Sequence, residues 1–367
     1  MGVSYSEDKR IVMTLDAGGT NLKFSAVRGN RPAAEPFSLP SRADRLDTCL
    51  AQITAGFEEV RRRLPEAPCA ISFAFPGPAD YPNGIIGDLP NLPAFRGGVP
   101  LGPILEEKFK VPVFINNDGD LFVYGEAMAG FLPYVNAQLE KAGSPRRYRN
   151  LFGVTLGTGF GGGIVRDGAL FTGDNSAAGE AWLLRNKLDP SVNAEEGACI
   201  RAVRRTYAEL AGLPGDMAPE PKEIYKIGAG EAKGDRAAAK EAFRRLGETA
   251  GDAIAQALTL VDGLAVIGGG VSGASPLFLP ALVEAVNGVY HKPGGDLKRL
   301  VARAYNFEDA GEREAFLAGD RRELTVPGSG RKIAYDPLPR TAIGMSRLGT
   351  SEAVAAGAYA FALAKLG

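Results

Sequence analysis

Twice in this chain of 367 residues a pair of short apolar runs meets at a glycine-rich turn, first across residues 11–28 and again across Leu151–Val165. The first turn is Asp16-Ala17-Gly18-Gly19-Thr20; the second is Gly157-Thr158-Gly159-Phe160-Gly161-Gly162-Gly163. Glycines admit backbone conformations closed to other residues and leave N–H groups unshielded by a Cβ, so each segment reads as a β-hairpin whose turn can crowd donors around an anion. Helical and strand patterns follow both hairpins. Leu46, Leu50, Ile53, Phe57, Val60 and Leu64 recur in steps of four and three, which predicts an amphipathic helix ended by Pro65. Ala70–Phe75 and Val111–Ile115 read as short buried strands, with a helix near Ile104–Phe109 between them. After the second hairpin, helices are expected at Glu196–Ala211, Asp235–Val261, Pro276–Val289 and Ser351–Leu366, and a strand at Gly263–Ile267.

The pattern is that of a duplicated α/β chain. The expected division is an N-terminal lobe of residues 1–127, joined by the C-terminal helix 351–367, and a C-terminal lobe of residues 128–350. Residues 291–348 carry many charges, prolines and glycines without periodicity, and are expected to form an irregular excursion on the second lobe.

Bulk chemistry removes several classes of function. With 42 basic against 43 acidic side chains, the chain lacks the basic footprint that nucleic-acid backbones require. Cys49, Cys69 and Cys199 are sparse and odd in number, which fits a reducing compartment and no disulfide framework. No apolar run reaches the length of a membrane span, and the first ten residues have no signal-peptide core, so a soluble cytoplasmic protein is expected. His291 is the only histidine, which excludes Ser-His and Cys-His nucleophiles and a histidine-based metal site.

Three glycine clusters compete for a nucleotide. Asp16 beside the first turn makes sense at a phosphate site only with a cation between them, which implies Mg²⁺ held directly or through water; the alternative is an ordinary hairpin turn. Gly157–Gly163 formally contains G-x-G-x-x-G, but a strand follows it where a dinucleotide site needs a helix N-terminus, so it reads as a second phosphate-holding hairpin. Gly268-Gly269-Gly270 does lie between a strand and a helix. It leaves a nicotinamide dinucleotide and an adenosine or phosphate contact both open, although no second strand ending in an acid follows at the expected distance. No Walker-type Gly-Lys-Ser/Thr occurs.

Among the acids, Asn117 and Asp118 sit just past the carboxyl end of a buried strand, where open α/β sheets bind ligands. Asp118 or Asp120 can equally be the N-cap of the helix that follows. Glu180 lies among small residues, an environment that admits a polyol; the alternative is a plain surface acid.

Taken in order, these segments resemble the ROK family of sugar kinases and related proteins, over residues 11–289 and again from Gly349 to Ala360. The resemblance implies a two-lobed actin-like ATPase fold of the ribonuclease H-like type, with a duplicated mixed sheet, flanking helices and a cleft between lobes. It implies ATP and Mg²⁺ as cofactors and a small-molecule sugar as substrate, and leaves a homodimer open. Asp16, Gly18, Gly19, Thr20 and Lys23 resemble the family's first phosphate motif, and Gly157, Thr158 and Gly159 its second. Gly268, Gly269 and Gly270 resemble its adenosine-side loop. Gly77, within Phe75-Pro76-Gly77, and Asn91 fall on the sugar side; Asn117 and Glu180 resemble the sugar contacts, and Asp118 the catalytic base. Two departures stand out. Ala181-Trp182 follows Gly179-Glu180 where the family commonly has Gly-His, and Cys199 stands alone where it commonly has a cysteine-rich zinc motif. No zinc is expected, and Glu195 or Glu196 is a candidate for the lost polar contact. A non-catalytic sugar-sensing relative remains the rival reading; the winged DNA-binding region of the family's repressors is not expected here.

Overall fold

The computed structural model of the protein describes residues 5–17, 20–89, 92 and 94–367. Two main sheets repeat one plan. In the first, β1 (Val12–Ala17), β2 (Asn21–Arg28), β3 (Arg31–Pro40), β4 (Ala70–Ala74) and β7 (Val113–Asn116) take the order β3-β2-β1-β4-β7; β5 (Ala79–Asp80) and β6 (Ile85–Ile86) pair separately. β2 runs antiparallel to β1 and β3, whereas β1, β4 and β7 are parallel. In the second, β8 (Leu151–Leu156), β9 (Phe160–Arg166), β10 (Ala169–Leu170), β11 (Leu264–Gly268), β14 (Arg303–Asn306) and β17 (Arg340–Met345) take the order β10-β9-β8-β11-β17-β14. Here β8, β11, β17 and β14 are parallel. Each sheet therefore sets a glycine-turned hairpin beside parallel strands, and the duplication read from the two turns is one of topology. Two exposed hairpins pair outside the main sheets, β12 (Val289–Tyr290) with β13 (Leu297–Lys298) and β15 (Arg322–Thr325) with β16 (Lys332–Tyr335).

The chain divides into two compact units, one of residues Met1–Gly130, Gly163–Ala178 and Leu348–Gly367, the other of Phe131–Gly162 and Gly179–Arg347. In the first, helix α1 (Leu46–Arg63) buries Cys49, Ile53, Phe57 and Val60, as its four-three spacing predicts, and the helix ends two residues before Pro65. With α2 (Leu101–Phe109) it covers one side of the sheet, where Phe24, Phe57, Phe73, Phe75 and Phe95 form the aromatic centre of the core. A second cluster joins Val12, Val27 and Ala70 of the sheet to Tyr359, Ala362 and Leu363 of α10 (Thr350–Leu366).

α10 also packs along α3 (Asp118–Met128), and the contact is backbone to backbone. A Cβ on Gly357 would lie 1.9 Å from Leu121 O, and one on Gly125 1.9 Å from Ala353 O. A helical Gly→Ala change ordinarily gains about 1 kcal/mol. At Gly357 it is expected instead to cost a net ~2 kcal/mol, because overpacking at the top of its usual range of about 3 kcal/mol outweighs that gain. The urea midpoint of Gly357→Ala tests the sign; a midpoint at or above the parent's would mean that the helices separate freely.

In the second unit, α4 (Phe131–Lys141) buries Phe131, Leu132, Val135 and Leu139. The long α7 (Arg236–Val261) packs against α5 (Ile200–Ala211), α6 (Pro221–Ala229) and α8 (Ser275–Val286). Residues 291–348 are not the irregular excursion expected. They contribute β14, α9 (Ala310–Ala318) and β17, the two strands forming one side of the second sheet. The reason is burial: β17 is covered on both faces, so it shows no two-residue alternation, and it opens on Arg340, whose charge hides the strand from an apolar pattern. Among the described residues no helix is long and apolar enough to cross a membrane.

Candidate active site

The carboxyl ends of parallel strands are where an open sheet offers its loops to a ligand. In the first unit Asp16, near the end of β1, is level with Ala74 at the end of β4, and Ala74 with Asn116 at the end of β7. Asp16, the loop Phe75-Pro76-Gly77 and the pair Asn117-Asp118 therefore leave one edge of one sheet. Phe75 N–H donates to Asn116 O at 2.9 Å and Tyr81 Oη donates to Phe75 O at 2.9 Å, which ties the Gly77 loop beside Asn117. Across the hairpin, Asp16 faces Lys23. Both are exposed, neither has an ion-pair partner among the described residues, and both line a cavity of about 190 Å³ with Thr14, Arg31 and Glu352. Thr20 is exposed, and its carbonyl accepts from Ser41 N–H at 2.9 Å. Gly18, Gly19 and Asn91 lie outside the described residues.

The helix cap corrects one alternative. Asn117, rather than Asp118 or Asp120, is the N-cap of α3: its backbone is extended and its Oδ1 accepts from Asp120 N–H at 2.6 Å. β7 ends at Asn116, so Asn117 is the first residue that can take cap dihedrals and reach back to the third helical N–H. Asp118 is thereby released from capping. It is exposed, and among the described residues its Oδ1 accepts only from Gly119 N–H, at 3.0 Å, while its Oδ2 has no partner. Asp120 is 1% exposed and belongs to the interior.

In the second unit Thr155 of β8 is level with Gly268 of β11, and Val271 N–H donates to Leu156 O at 3.0 Å, so the turn 157–159 and the loop 268–270 also share one edge. The turn is held from behind. Gly157 O accepts from Ile200 N–H at 2.9 Å, Thr158 O from Arg201 Nη1 at 3.1 Å, and Phe160 N–H donates to Glu195 Oε2 at 3.0 Å. The N–H groups of Thr158 and Gly159 have no acceptor among the described residues. Gly162 lets the Gly179-Glu180 loop approach β9, since a Cβ there would lie 2.4 Å from Gly179 O. Glu180 is half-buried and accepts the indole N–H of Trp182, the residue at the departure from the family pattern.

Glu195 bridges the turn and Arg201 Nη2, at 3.1 Å. Glu196 instead pairs with Arg205 and Arg201, at 3.1 and 3.2 Å, and hydrogen bonds from Arg205 and then Arg201 hold its carboxyl below the usual range. Cys199 is buried just before α5, and among the described residues no group of three or more His, Cys, Asp or Glu side chains is arranged to hold a metal. Arg201 and Trp182 escape sequence reasoning. Two acids, Glu195 and Glu196, stand five and six residues before Arg201, which is not a spacing that marks an ion pair, and nothing local points to the backbone targets of Glu195 and Arg201 more than 30 residues earlier.

The family model of the ROK family matches residues 12–313. A glucokinase from Thermotoga maritima is 29% identical over 295 residues, covering 74% of this chain and 86% of its own. An N-acetyl-D-glucosamine kinase from Vibrio parahaemolyticus is 28% identical over 277 residues, covering 70% and 83%. Among solved structures, a glucokinase from Parabacteroides distasonis is 53% identical, covers 99% of each chain and superposes with a TM-score of 0.91.

Proposed function

The chain belongs to the ROK family and has its actin-like ATPase fold, and we propose that it transfers the γ-phosphoryl group of ATP to a hydroxyl of a hexose or amino sugar, with Asp118 as the base. The observation that carries this reading is the release of Asp118: the neighbouring asparagine caps the helix, and a carboxylate oxygen with no partner among the described residues stands at the carboxyl end of the parallel strands β1, β4 and β7. Asn117 and Glu180 each keep hydrogen-bonding capacity that a sugar hydroxyl can use. Asn117 has committed Oδ1 to Asp120 N–H, so its Nδ2 is the donor it offers. Glu180 has committed one oxygen to Trp182 and offers the other.

Phosphoryl transfer passes through a loose transition state, so the protein's work is alignment and charge neutralisation. The free N–H groups of Thr158 and Gly159 suit phosphate oxygens, and Gly268–Gly270 the nucleoside side. Asp16 fits a Mg²⁺ ion, being an exposed carboxylate with no ion-pair partner among the described residues, beside an ammonium, Lys23, that favours phosphate. Mg²⁺ supplies neutralisation of phosphate charge when bound. As the phosphoryl group arrives, the sugar hydroxyl loses its proton to Asp118 Oδ2.

Sugar-dependent ADP release is expected with ATP–Mg²⁺, with glucose the first sugar to try because a solved structure 53% identical to this chain over 99% of its length is a glucokinase. N-acetyl-D-glucosamine is the second. Sugar binding by calorimetry with no ADP release across a hexose and amino-sugar panel would replace the kinase by a sensor. A stabilisation by NAD and not by ATP–Mg²⁺, of about 2.7 kcal/mol at a hundredfold excess over Kd, would reassign the loop 268–270.

A further inference from the structure

We propose that Glu195 and Arg201 are positioning residues for the phosphoryl donor, a charge-neutral latch that aims the N–H groups of the turn 157–159 at phosphate. The proposal rests on the reading of that turn as a phosphate site. In a trans peptide the C=O of one residue and the N–H of the next point in opposite directions. Ile200 N–H holds Gly157 O, so Thr158 N–H is directed away from the start of α5. Arg201 Nη1 holds Thr158 O, so Gly159 N–H is directed away from that guanidinium. These are the two turn donors without an acceptor among the described residues. Were the Thr158 carbonyl released, its peptide could rotate, presenting an oxygen to the phosphates and withdrawing the Gly159 donor.

Glu195 completes the latch. One oxygen accepts from Phe160 N–H at 3.0 Å, where the turn becomes β9, and the other meets Arg201 Nη2 at 3.1 Å. A lone carboxylate this close to a phosphate site would repel the ligand; joined to Arg201 it adds no net charge. The planar guanidinium suits the task because its separate nitrogens reach Glu195 and the Thr158 carbonyl at once, which a lysine ammonium does less well. The packing leaves little slack, since a Cβ on Gly159 would lie 2.7 Å from Glu195 Oε2.

The experiment compares ATP, ADP and adenosine binding by calorimetry, and KM for ATP and for sugar, in the parent, Glu195→Ala, Glu195→Gln, Arg201→Met and Arg201→Lys. Loss of one charge-assisted hydrogen bond predicts about a tenfold rise in Kd and KM for ATP in Glu195→Ala and Arg201→Met, with adenosine affinity and sugar KM within about twofold. Glu195→Gln keeps an acceptor for Phe160 N–H and is expected within about threefold of the parent, whereas Arg201→Lys stays close to Arg201→Met. A merely structural role would move adenosine and ATP together. Unchanged ATP affinity in Arg201→Met overturns the proposal, as does equal weakening of adenosine. If the parent itself binds no ATP–Mg²⁺, the phosphate assignment fails and the latch with it, and failure of the parent distinguishes that result. Should the alanine variant not fold, the Arg201→Met and Arg201→Lys pair decides the matter alone.

Discussion

Asp118→Asn is expected to lower turnover by roughly 10² to 10⁴-fold, the range typical of losing a general base. A sugar hydroxyl is far too weak an acid to ionise near neutral pH, and the amide that replaces the carboxylate cannot take its proton. Size and one hydrogen-bond acceptor survive, so Gly119 N–H keeps its partner. Folding should survive as well. Asn117 caps α3, so the substitution removes only a negative charge from the first turn, a change of about 0.3–1 kcal/mol through the helix dipole. Sugar affinity should change little, because Asn117 and Glu180 are intact. The measurement is turnover and sugar Kd for both proteins with the best substrate of the panel, alongside their urea midpoints. A variant retaining more than about a tenth of parental turnover lies outside the expected range and would remove Asp118 from the role of base. Asp120 is a poor successor, because it is buried.

The separation of those roles shows where sequence reasoning reaches and where it stops. α1 and β2 alternate buried and exposed residues on a local period, and glycine-rich turns interrupt the apolar runs, so the first hairpin, α1 and the Gly157–Gly163 turn are legible from spacing alone. The parallel register that sets Asp16, Ala74 and Asn116 side by side is not local, but the rule that parallel strands present their carboxyl ends to ligands makes the address of Asp118 readable. Asn117-Asp118-Gly119-Asp120 offers three Asn or Asp side chains within four residues, and only the backbone dihedrals and the cap hydrogen bond select among them. The latch behind the second turn is less legible still. Its partners are main-chain atoms of residues 158 and 160, and side chain to backbone bonds need no complementary residue at the other end. β14 and β17 fail for a third reason, burial on both faces of short strands that begin with arginine.

Removing the charge of Asp336 is expected to cost the second unit about 3–5 kcal/mol, the penalty for breaking a buried ion pair on one side. Asp336 and Arg340 side chains are 2% and 0% exposed, with Oδ2 and Nη2 2.7 Å apart. That approach is a charge contact rather than an aligned hydrogen bond, and the remaining polar atoms find partners elsewhere. Arg340 Nε donates to Phe316 O at 2.7 Å, and Asp336 Oδ1 accepts from Asp320 N–H at 3.2 Å and Leu338 N–H at 3.3 Å. The pair thus fastens α9 to the first residue of β17, which in turn lies beside β11, the strand that ends in the Gly268 loop. Asp336→Asn preserves shape and strands the guanidinium; at roughly 2–4 °C per kcal/mol for a unit of this size, the melting midpoint should fall by on the order of 10 °C. Asp336→Leu with Arg340→Met should recover most of the loss, since apolar residues of similar volume replace such pairs at little cost. The pH dependence carries the same signature. Burial pushes the Asp336 carboxyl up, but Arg340 and the N–H donors of Asp320 and Leu338 outweigh it and hold it below its ordinary value of 3.8. A depressed carboxyl stabilises the fold above its unfolded value and loses that contribution as pH falls through the folded one. The gap between parent and Asp336→Asn should therefore be constant above about pH 5 and close progressively below about pH 4, where the parent's carboxyl also becomes neutral. A gap under 1 kcal/mol at neutral pH, or one that persists unchanged to pH 2, would show that the pair is not what holds β17 in place.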